Sequence, residues 1–488
     1  MTSTTVIFSC AFGATATWNV PAKYAIKPSS NGRFLIDADG DPFFWQADTA
    51  WLLFHRLNYT EAEEYLSDRA NKGFTVVLAV GFTQEGLSSP NRNGDLTFID
   101  LDPTQPNEAY WSYVDSIIAL AWSKGIRICM VPAWGSQIHD SANNAGPIDT
   151  TTASAFGNFI GHRYPYLPKT LVADTNPWWE NKTAVKTDYA NGGVSPDYEV
   201  VDWSGVYDEL ALGIVTGERK SIATIVSAQK AKTWWPLMTI HPTNQWFTGG
   251  PMAVASAFLG DRQWLTLDTS WEPVELMYAA GSKPGSRTRP VIDNEAHYEN
   301  RYDNGKSAYP YWNASDVRTG SWQAVFSGAS GVTYGANAVQ QMAIPGIYSS
   351  DGSGPNNNWL TDLVGPGSSQ IQWIKKAIMD RSSSTYFKRL PAQDIIMGDA
   401  GDNDLRITAT RDSSGKWIMV YTPTGLPFKV NTSSLSSCQI QASWYDPITG
   451  NYTAFDYSQC GSDGTSQTFT PPVVDDHTDW ALVLEVSE

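Results

Sequence analysis

Short apolar runs, each giving way abruptly to polar residues, recur along the first two thirds of the chain. The first is Pro42-Phe-Phe-Trp-Gln-Ala-Asp48-Thr-Ala-Trp51, an apolar strand ending at Asp48. Others lie at 74–80, 126–132, 169–173, 233–241, 264–268, 289–295 and 331–334. Unbroken runs of this length suit strands buried on both faces, as in a parallel sheet. Helical periodicity fills the intervals. At 60–71, Thr60 is the expected N-cap, Glu63 closes a capping box and Gly73 stops the helix. At 107–124 the apolar stripe is Tyr110, Val114, Ile117, Ile118 and Ala121, and Gly125 ends it. Helices are also expected at 153–164, at 203–215 and from Asn313 or Ser315 to about Phe326. Strands alternating with helices imply right-handed βαβ units. Eight of them over some 300 residues predict an α/β fold closed as a (β/α)8 TIM barrel. No G-x-G-x-x-G follows the first strand, which argues against a dinucleotide-binding sheet.

The flanks differ. An extended leader, 1–32, precedes a hairpin at 33–41 with Asp39-Gly40 as its turn. Residues 368–381 read as a closing helix, and from about residue 389 short alternating strands are separated by Gly, Asp, Ser and Pro. That texture predicts a small C-terminal all-β sandwich with Met419, Tyr421, Trp444 and Trp480 in its core. The expected organisation is therefore leader 1–32, barrel 33–388 and sandwich 389–488. One long loop, 175–202, carries Trp178, Trp179, Glu180, Tyr189 and Tyr198. A loop of that length in a compact domain reads as a lid or a subsite wall.

The residues where strands run out supply the candidate chemistry, because the C-terminal rim is where such barrels carry catalysis. After strand seven stand Asp293, Asn294, Glu295, His297 and Glu299; after strand four stands Asp174. Strands four and seven face each other across a barrel mouth. A carboxyl from each can flank a sugar ring, one giving a proton to the leaving oxygen and one meeting the oxocarbenium charge. Asp48, Gln84, Glu85, Trp134, His241, Trp271, His297 and Tyr334 are the expected pocket lining, although packing would explain any one of them equally well. A metal hydrolase competes weakly. The six histidines form no H-E-x-x-H and no H-x-H, leaving only His241 and His297 with Asp48 or Glu295 as conceivable ion ligands. No G-x-S-x-G elbow exists for acyl transfer. No cofactor is expected.

Composition narrows the partners. A net charge of −17 and a pI near 4.7 argue against nucleic acid and anionic membranes, and no apolar run is long enough to span a bilayer. The 21 Trp and 22 Tyr, clustered with acids and amides near strand ends, suit an oligo- or polysaccharide, whose C–H faces pack on rings while its hydroxyls meet carboxylates and amides. Five N-x-S/T sequons, at Asn58, Asn181, Asn313, Asn431 and Asn451, fit a glycosylated, secreted protein. Residues 4–16 have the apolar centre of a truncated signal peptide but no basic segment before it. Of the four cysteines, Cys438 and Cys460 are close enough in the chain for one disulfide in the sandwich, and Cys129 is expected to be a buried thiol. A monomer is expected.

Several motifs together resemble the apiosidase-like glycoside hydrolases. They are Phe44-Trp-Gln-Ala-Asp48-Thr-Ala-Trp51, Glu61-Ala-Glu-Glu-Tyr-Leu66 with Asp68-Arg69, Pro132-Ala-Trp-Gly135, Asp293-Asn-Glu295 with Tyr298-Glu-Asn300, and Trp312-Asn-Ala-Ser-Asp-Val-Arg318 with Thr333-Tyr-Gly335. The tail, Trp444-Tyr-Asp-Pro-Ile-Thr-Gly450, Thr470-Pro-Pro472 and Trp480-Ala-Leu-Val-Leu484, resembles the collagen-binding-type sandwich joined to that barrel. The resemblance implies a glycoside hydrolase acting on a plant or microbial cell-wall glycan, an apiosidase or a related pentofuranosidase or galactofuranosidase. It makes Glu295 the strand-seven catalytic glutamate and Asp174 the strand-four aspartate. With Glu295 as nucleophile and Asp174 as acid/base the enzyme would be retaining, although the residues alone do not set the stereochemistry. The family usually carries Gly-Gly-Asp before the insertion, whereas this chain has Val172-Ala173-Asp174. The competing class is a non-catalytic carbohydrate- or collagen-binding protein on the same scaffold.

Overall fold

The structure is a computed structural model describing residues 20–140, 144–180, 200–243, 245–247, 250–252, 254–270, 287–295, 297–457, 466–475 and 478–487. Eight parallel strands form one sheet: β1 (Trp45–Thr49), β2 (Val76–Phe82), β3 (Arg127–Trp134), β4 (Lys169–Ala173), β5 (Met238–His241), β6 (Asp268–Ser270), β7 (Val291–Asp293) and β8 (Gly331–Tyr334). Their order, β5-β4-β3-β2-β1-β8-β7-β6, leaves one seam between β5 and β6. Thr266 N and Leu267 N donate across it to Met238 O at 3.0 and 3.2 Å, and Thr269 Oγ1 donates to Ile240 O at 2.5 Å. The barrel is thus nearly closed. All residues of β1, β2 and β4 are buried; β2 is a continuous apolar run, whereas β1 buries Gln46, Asp48 and Thr49 and β4 buries Lys169 and Thr170. Cys129 is a buried free thiol within β3.

Outer helices include α1 (Tyr59–Asn71), α2 (Glu108–Ser123), α3 (Ala153–Arg163), α4 (Ser204–Ile222), α5 (Ala255–Leu259) and α6 (Ala314–Phe326). The cap of α1 lies earlier than expected. Asn58 accepts from Glu61 N at 3.0 Å and Glu61 accepts from Asn58 N at 2.8 Å, so this capping box wins over the one that Thr60 and Glu63 would make. The sixth strand also shifts, from the expected 264–268 to Asp268–Ser270, because Thr266 and Leu267 are engaged at the seam. The expected closing helix is two pieces, α7 (Pro366–Gln370) and α8 (Gln372–Met379). Before the barrel, Leu35 pairs with Phe43 and Ile36 with Pro42 as the expected hairpin, with Gly40 in its turn at φ 95°.

The C-terminal part has a six-stranded and a three-stranded antiparallel sheet. The larger is centred on β9 (Trp417–Thr422) and β10 (Trp480–Val486), paired Met419↔Val483 and Tyr421↔Ala481. Ile418 and Val420 enter the sandwich core with Trp444, while the alternate residues Trp417, Met419 and Tyr421 join the barrel core. Met419 and Tyr421 therefore fill the junction with the barrel, correcting their expected place, and Trp480 is only partly buried at the sandwich core. Both faces of β9 are buried because α6 lies against it. Trp322 stacks on Tyr421 at 5.4 Å, and Arg318 grips Asp479 with Nε–Oδ2 2.7 Å and Nη2–Oδ1 2.6 Å. Cys460 and Asn181 lie outside the described residues, as do Tyr189 and Tyr198.

Candidate active site

A cavity of about 290 Å3 opens at the C-terminal ends of the barrel strands. Asp174 and Glu295 both line it, with Gln84, Trp134 and His241. Asp174 follows β4 directly and holds a left-handed backbone, φ 59°, an uncommon conformation for a residue with a side chain. Its N–H donates to His241 O at 3.1 Å. Close approach of the preceding rim locks this corner: a Cβ on Gly135 would lie 2.7 Å from Thr175 Cβ and 2.9 Å from Ala173 O. Asn176 then ties the chain to Thr243 through two bonds, of 2.8 and 3.0 Å.

Glu295 lies two residues beyond β7, where its N–H donates to Asp293 Oδ1 at 3.2 Å. His241 Nε2 is 3.3 Å from Glu295 Oε2. Trp51 sets the His241 ring edge-on at 5.3 Å and meets Trp134 at 5.7 Å, making an aromatic wall. Burial lowers the His241 pKa, favouring the neutral ring. Burial also pushes Glu295 up to about 7, against the opposing pull of Arg301 and a hydrogen bond with Tyr298. Asp174 is pushed up to about 6, by burial among the rim groups first and then by the Glu295 carboxylate. Its side chain is exposed to the cavity, so water there tempers the effect. Two carboxyls with raised affinity for protons, on strands facing each other across one cavity, can hold a single proton between them near neutral pH.

Other expected lining residues are placed differently. Asp48 is fully buried, accepting from Arg69 Nε and Tyr65 Oη at 2.6 Å each. Tyr334 is buried beside it and donates to Glu299 Oε2 at 2.6 Å. Both belong to the barrel interior, because an ion pair this deep needs its partners around it and not a solvated ligand. Glu85 is taken up by Arg56 (2.6 Å) and His55 (3.1 Å). Although its partial burial acts the other way, these partners hold Glu85 at about 2. His297 stacks on Trp312 at 4.3 Å and turns toward Asp404, 3.7 Å away. Of the conceivable ion ligands, His241 and Glu295 meet, while Asp48 is buried in its own ion pair and His297 turns toward Asp404. Among the described residues no three His, Cys, Asp or Glu form a group that could hold an ion. Trp271 lies outside the described residues.

Of the long loop after β4, residues 181–199 lie outside the described residues, and its two ends are described. Its Trp178–Glu180 pairs antiparallel with Val200–Asp202. Trp178 donates to Phe258 O at 3.1 Å and packs on that ring at 5.3 Å, while Trp179 is buried. Trp178 thus fastens the loop to α5.

Sequence reasoning missed Arg301, Gln340, Gln341 and Asp351, which line the same cavity. A signal was present for Arg301: a lone cation directly after Tyr298-Glu-Asn300 on a rim otherwise rich in acids. The residues after β8 follow no spacing rule. One motif glycine is explained at the same place, since a Cβ on Gly335 would strike the Tyr298 ring at 1.8 Å.

Comparison with known proteins gives a consistent result. Residues 29–385 match the family described as "Apiosidase-like, catalytic domain", and residues 390–485 match "Putative collagen-binding domain of a collagenase". A glycoside hydrolase family 5 structure from Bacteroides vulgatus ATCC 8482 is similar at 24% identity and a TM-score of 0.75, covering 96% of this chain and 94% of the other. A structure described as a glycoside hydrolase is 25% identical at the same TM-score, covering 96% and 98%. Comparison with curated protein sequences finds no match.

Proposed function

The chain belongs to the apiosidase-like glycoside hydrolases, and from that premise we propose that it removes a furanosyl unit from a plant or microbial cell-wall glycan by a two-carboxylate, retaining mechanism. The observation that carries this reading is the shared cavity of Asp174 and Glu295, supplied by β4 and β7. In the first step the Glu295 carboxylate attacks the anomeric carbon while Asp174 gives its proton to the departing oxygen, breaking the glycosidic C–O bond. In the second, Asp174 takes a proton from water, the hydroxide so formed displaces Glu295, and both carboxyls return to their starting states. Trp51 and Trp134 offer ring surface to the sugar, and Gln84 and Gln340 offer amides to its hydroxyls. A cavity near the lower end of ligand-pocket sizes suits one terminal sugar. A secreted, glycosylated monomer with a Cys438–Cys460 bridge is the form we expect to do this.

The test is a panel of pectic, arabinofuranosyl and galactofuranosyl glycans with the matching aryl furanosides, read as released sugar and as the anomer first formed. Hydrolysis with net retention supports the reading. Binding to the panel without any hydrolysis would instead favour a carbohydrate-binding protein on a barrel scaffold.

A further inference from the structure

Arg301 stands six residues after Glu295, where the chain turns back from the rim. Asn300 N donates to Trp312 O and Trp312 N to Arg301 O, both at 2.9 Å, so the Arg301 backbone is fixed by its neighbour strand. The guanidinium reaches into the cavity shared by Asp174 and Glu295. Its Nη1 donates to Ser353 Oγ at 2.5 Å and lies 3.5 Å from Asp351 Oδ2. Those two residues are themselves braced: Ser353 Oγ donates to Asp351 and, at 3.1 Å, to Asn337, while Gln341 exchanges bonds of 3.1 and 2.6 Å with Asp351. The guanidinium also lies 5.8 Å from the Tyr298 ring. Among the described residues, Nε and Nη2 of Arg301 make no hydrogen bond.

The other charged and titratable groups around the pair have their own engagements. Arg56 lines the cavity but is tied to Glu85 at 2.6 Å. His241, from β5, faces Glu295 as a ring that burial keeps neutral. Asp293 lies behind the Glu295 amide, and Tyr298 is buried below it. Arg301 is thus the cation whose charge reaches both members of the pair, and it opposes the rise of each.

Building on the glycosidase reading, we propose that Arg301, clamped by Ser353 and Asp351 of the loop after β8, is a positioning residue that sets the charge balance of the Asp174–Glu295 pair and offers its free N–H edge to the hydroxyls of a neutral sugar. A uronic acid would bring a further anion beside Asp174, Glu295 and Asp351, so the ligand class is an uncharged glycosyl unit. Loss of the cation disfavours both carboxylates, which moves both limbs of the pH profile to higher pH.

The experiment measures kcat/KM against pH for wild type, Arg301→Met, Arg301→Lys and Ser353→Ala, on the aryl furanoside that the panel shows to be cleaved. Arg301→Met should shift both limbs upward by about one pH unit, the scale of one nearby charge, and raise KM about tenfold. Arg301→Lys should restore the limbs but not KM, because an ammonium keeps the charge and loses the planar donor fork. Ser353→Ala should move the limbs in the direction of Arg301→Met, by less. Unmoved limbs in Arg301→Met with an unchanged melting curve would overturn the role; if that variant does not fold, unmoved limbs in Ser353→Ala do so. A wild type that cleaves nothing on the panel removes the glycosidase reading itself, an outcome distinct from an active enzyme with unmoved limbs.

Discussion

Asp174 and Glu295 both bind their protons more tightly than free carboxylic acids, at about 6 and about 7, and burial is the larger cause in each case. The values are coupled, since the Glu295 carboxylate adds to the cost of ionising Asp174. Below about 6 both carboxyls are protonated and no nucleophile exists; above about 7 both are ionised and no acid exists. Between them the pair holds one proton, which the order of the two values places more often on Glu295, so the productive form is the minority in which Asp174 carries it. The expected kcat/KM profile is therefore a bell with its maximum between these values, measured on whichever aryl furanoside is cleaved. A flat profile from pH 5 to pH 9 would exclude the pair as acid and nucleophile. Glu295→Gln keeps volume and removes only the ionisable group, so turnover should fall ~10²-fold or more. Thermal unfolding should barely change. A variant retaining more than about a tenth of wild-type turnover would end the nucleophile assignment.

At the scale of elements, the family-like residues Asp48, Tyr65 and Arg69 form a latch and not a binding surface. Arg69 ties the end of β1 to α1 through Asp48 and reaches the Leu363 carbonyl at 2.9 Å, near α7. Its guanidinium lies 5.3 to 5.7 Å from the rings of Phe74, Tyr65 and Tyr334. Arg69→Met would strand the Asp48 charge in the interior and should cost ~3–5 kcal/mol in urea unfolding. A loss under about 1 kcal/mol would show that Asp48 finds another partner or stays protonated. The Trp178 loop behaves similarly. Its ring is packed on Phe258, so Trp178→Ala should lower the melting temperature and slow a polymer and a small aryl furanoside to the same degree. A selective rise in KM for the polymer would restore Trp178 to the substrate path.

Across the whole molecule, the barrel core runs on into one face of β9 and β10, while the sandwich keeps a second core on the other face. Asp479 accepts both arms of Arg318 and, at 3.0 Å, the Tyr421 hydroxyl, and all three side chains are buried between α6 and β9. Asp479→Asn preserves shape but leaves Arg318 without its counter-charge. The expected result is a loss of ~3 kcal/mol or more, with both parts unfolding in a single transition that moves to lower urea. An early, separate transition of the sandwich would show that the junction does not couple them. The sandwich thus acts as a brace for α6, the helix that follows β7 in the chain.

The sequence by itself determined the order of elements. Strands buried on both faces tend to be apolar throughout, so β2 announces itself, and glycines at 73 and 125, with φ of 74° and 79°, mark where helices stop. It also put Asp174 and Glu295 on the rim beyond the ends of β4 and β7, but it put Asp48 and Glu85 at like positions, and these two are taken up in ion pairs. What it left open was the direction in which each rim side chain points. Asp48 and Gln84 both stand near the ends of neighbouring strands, yet one turns into an ion pair inside the fold and the other lines the cavity. Met419 and Trp444 are both apolar strand residues, and only the packing of α6 on β9 decides that the first belongs to the junction and the second to the sandwich core. Arg301 and the Ser353–Asp351 clamp are some fifty residues apart and follow no period, so only closure of the chain brings them together. Local sequence specifies what each segment can become, through backbone sterics and the spacing of apolar groups. Which faces meet is settled by the burial of all segments at once.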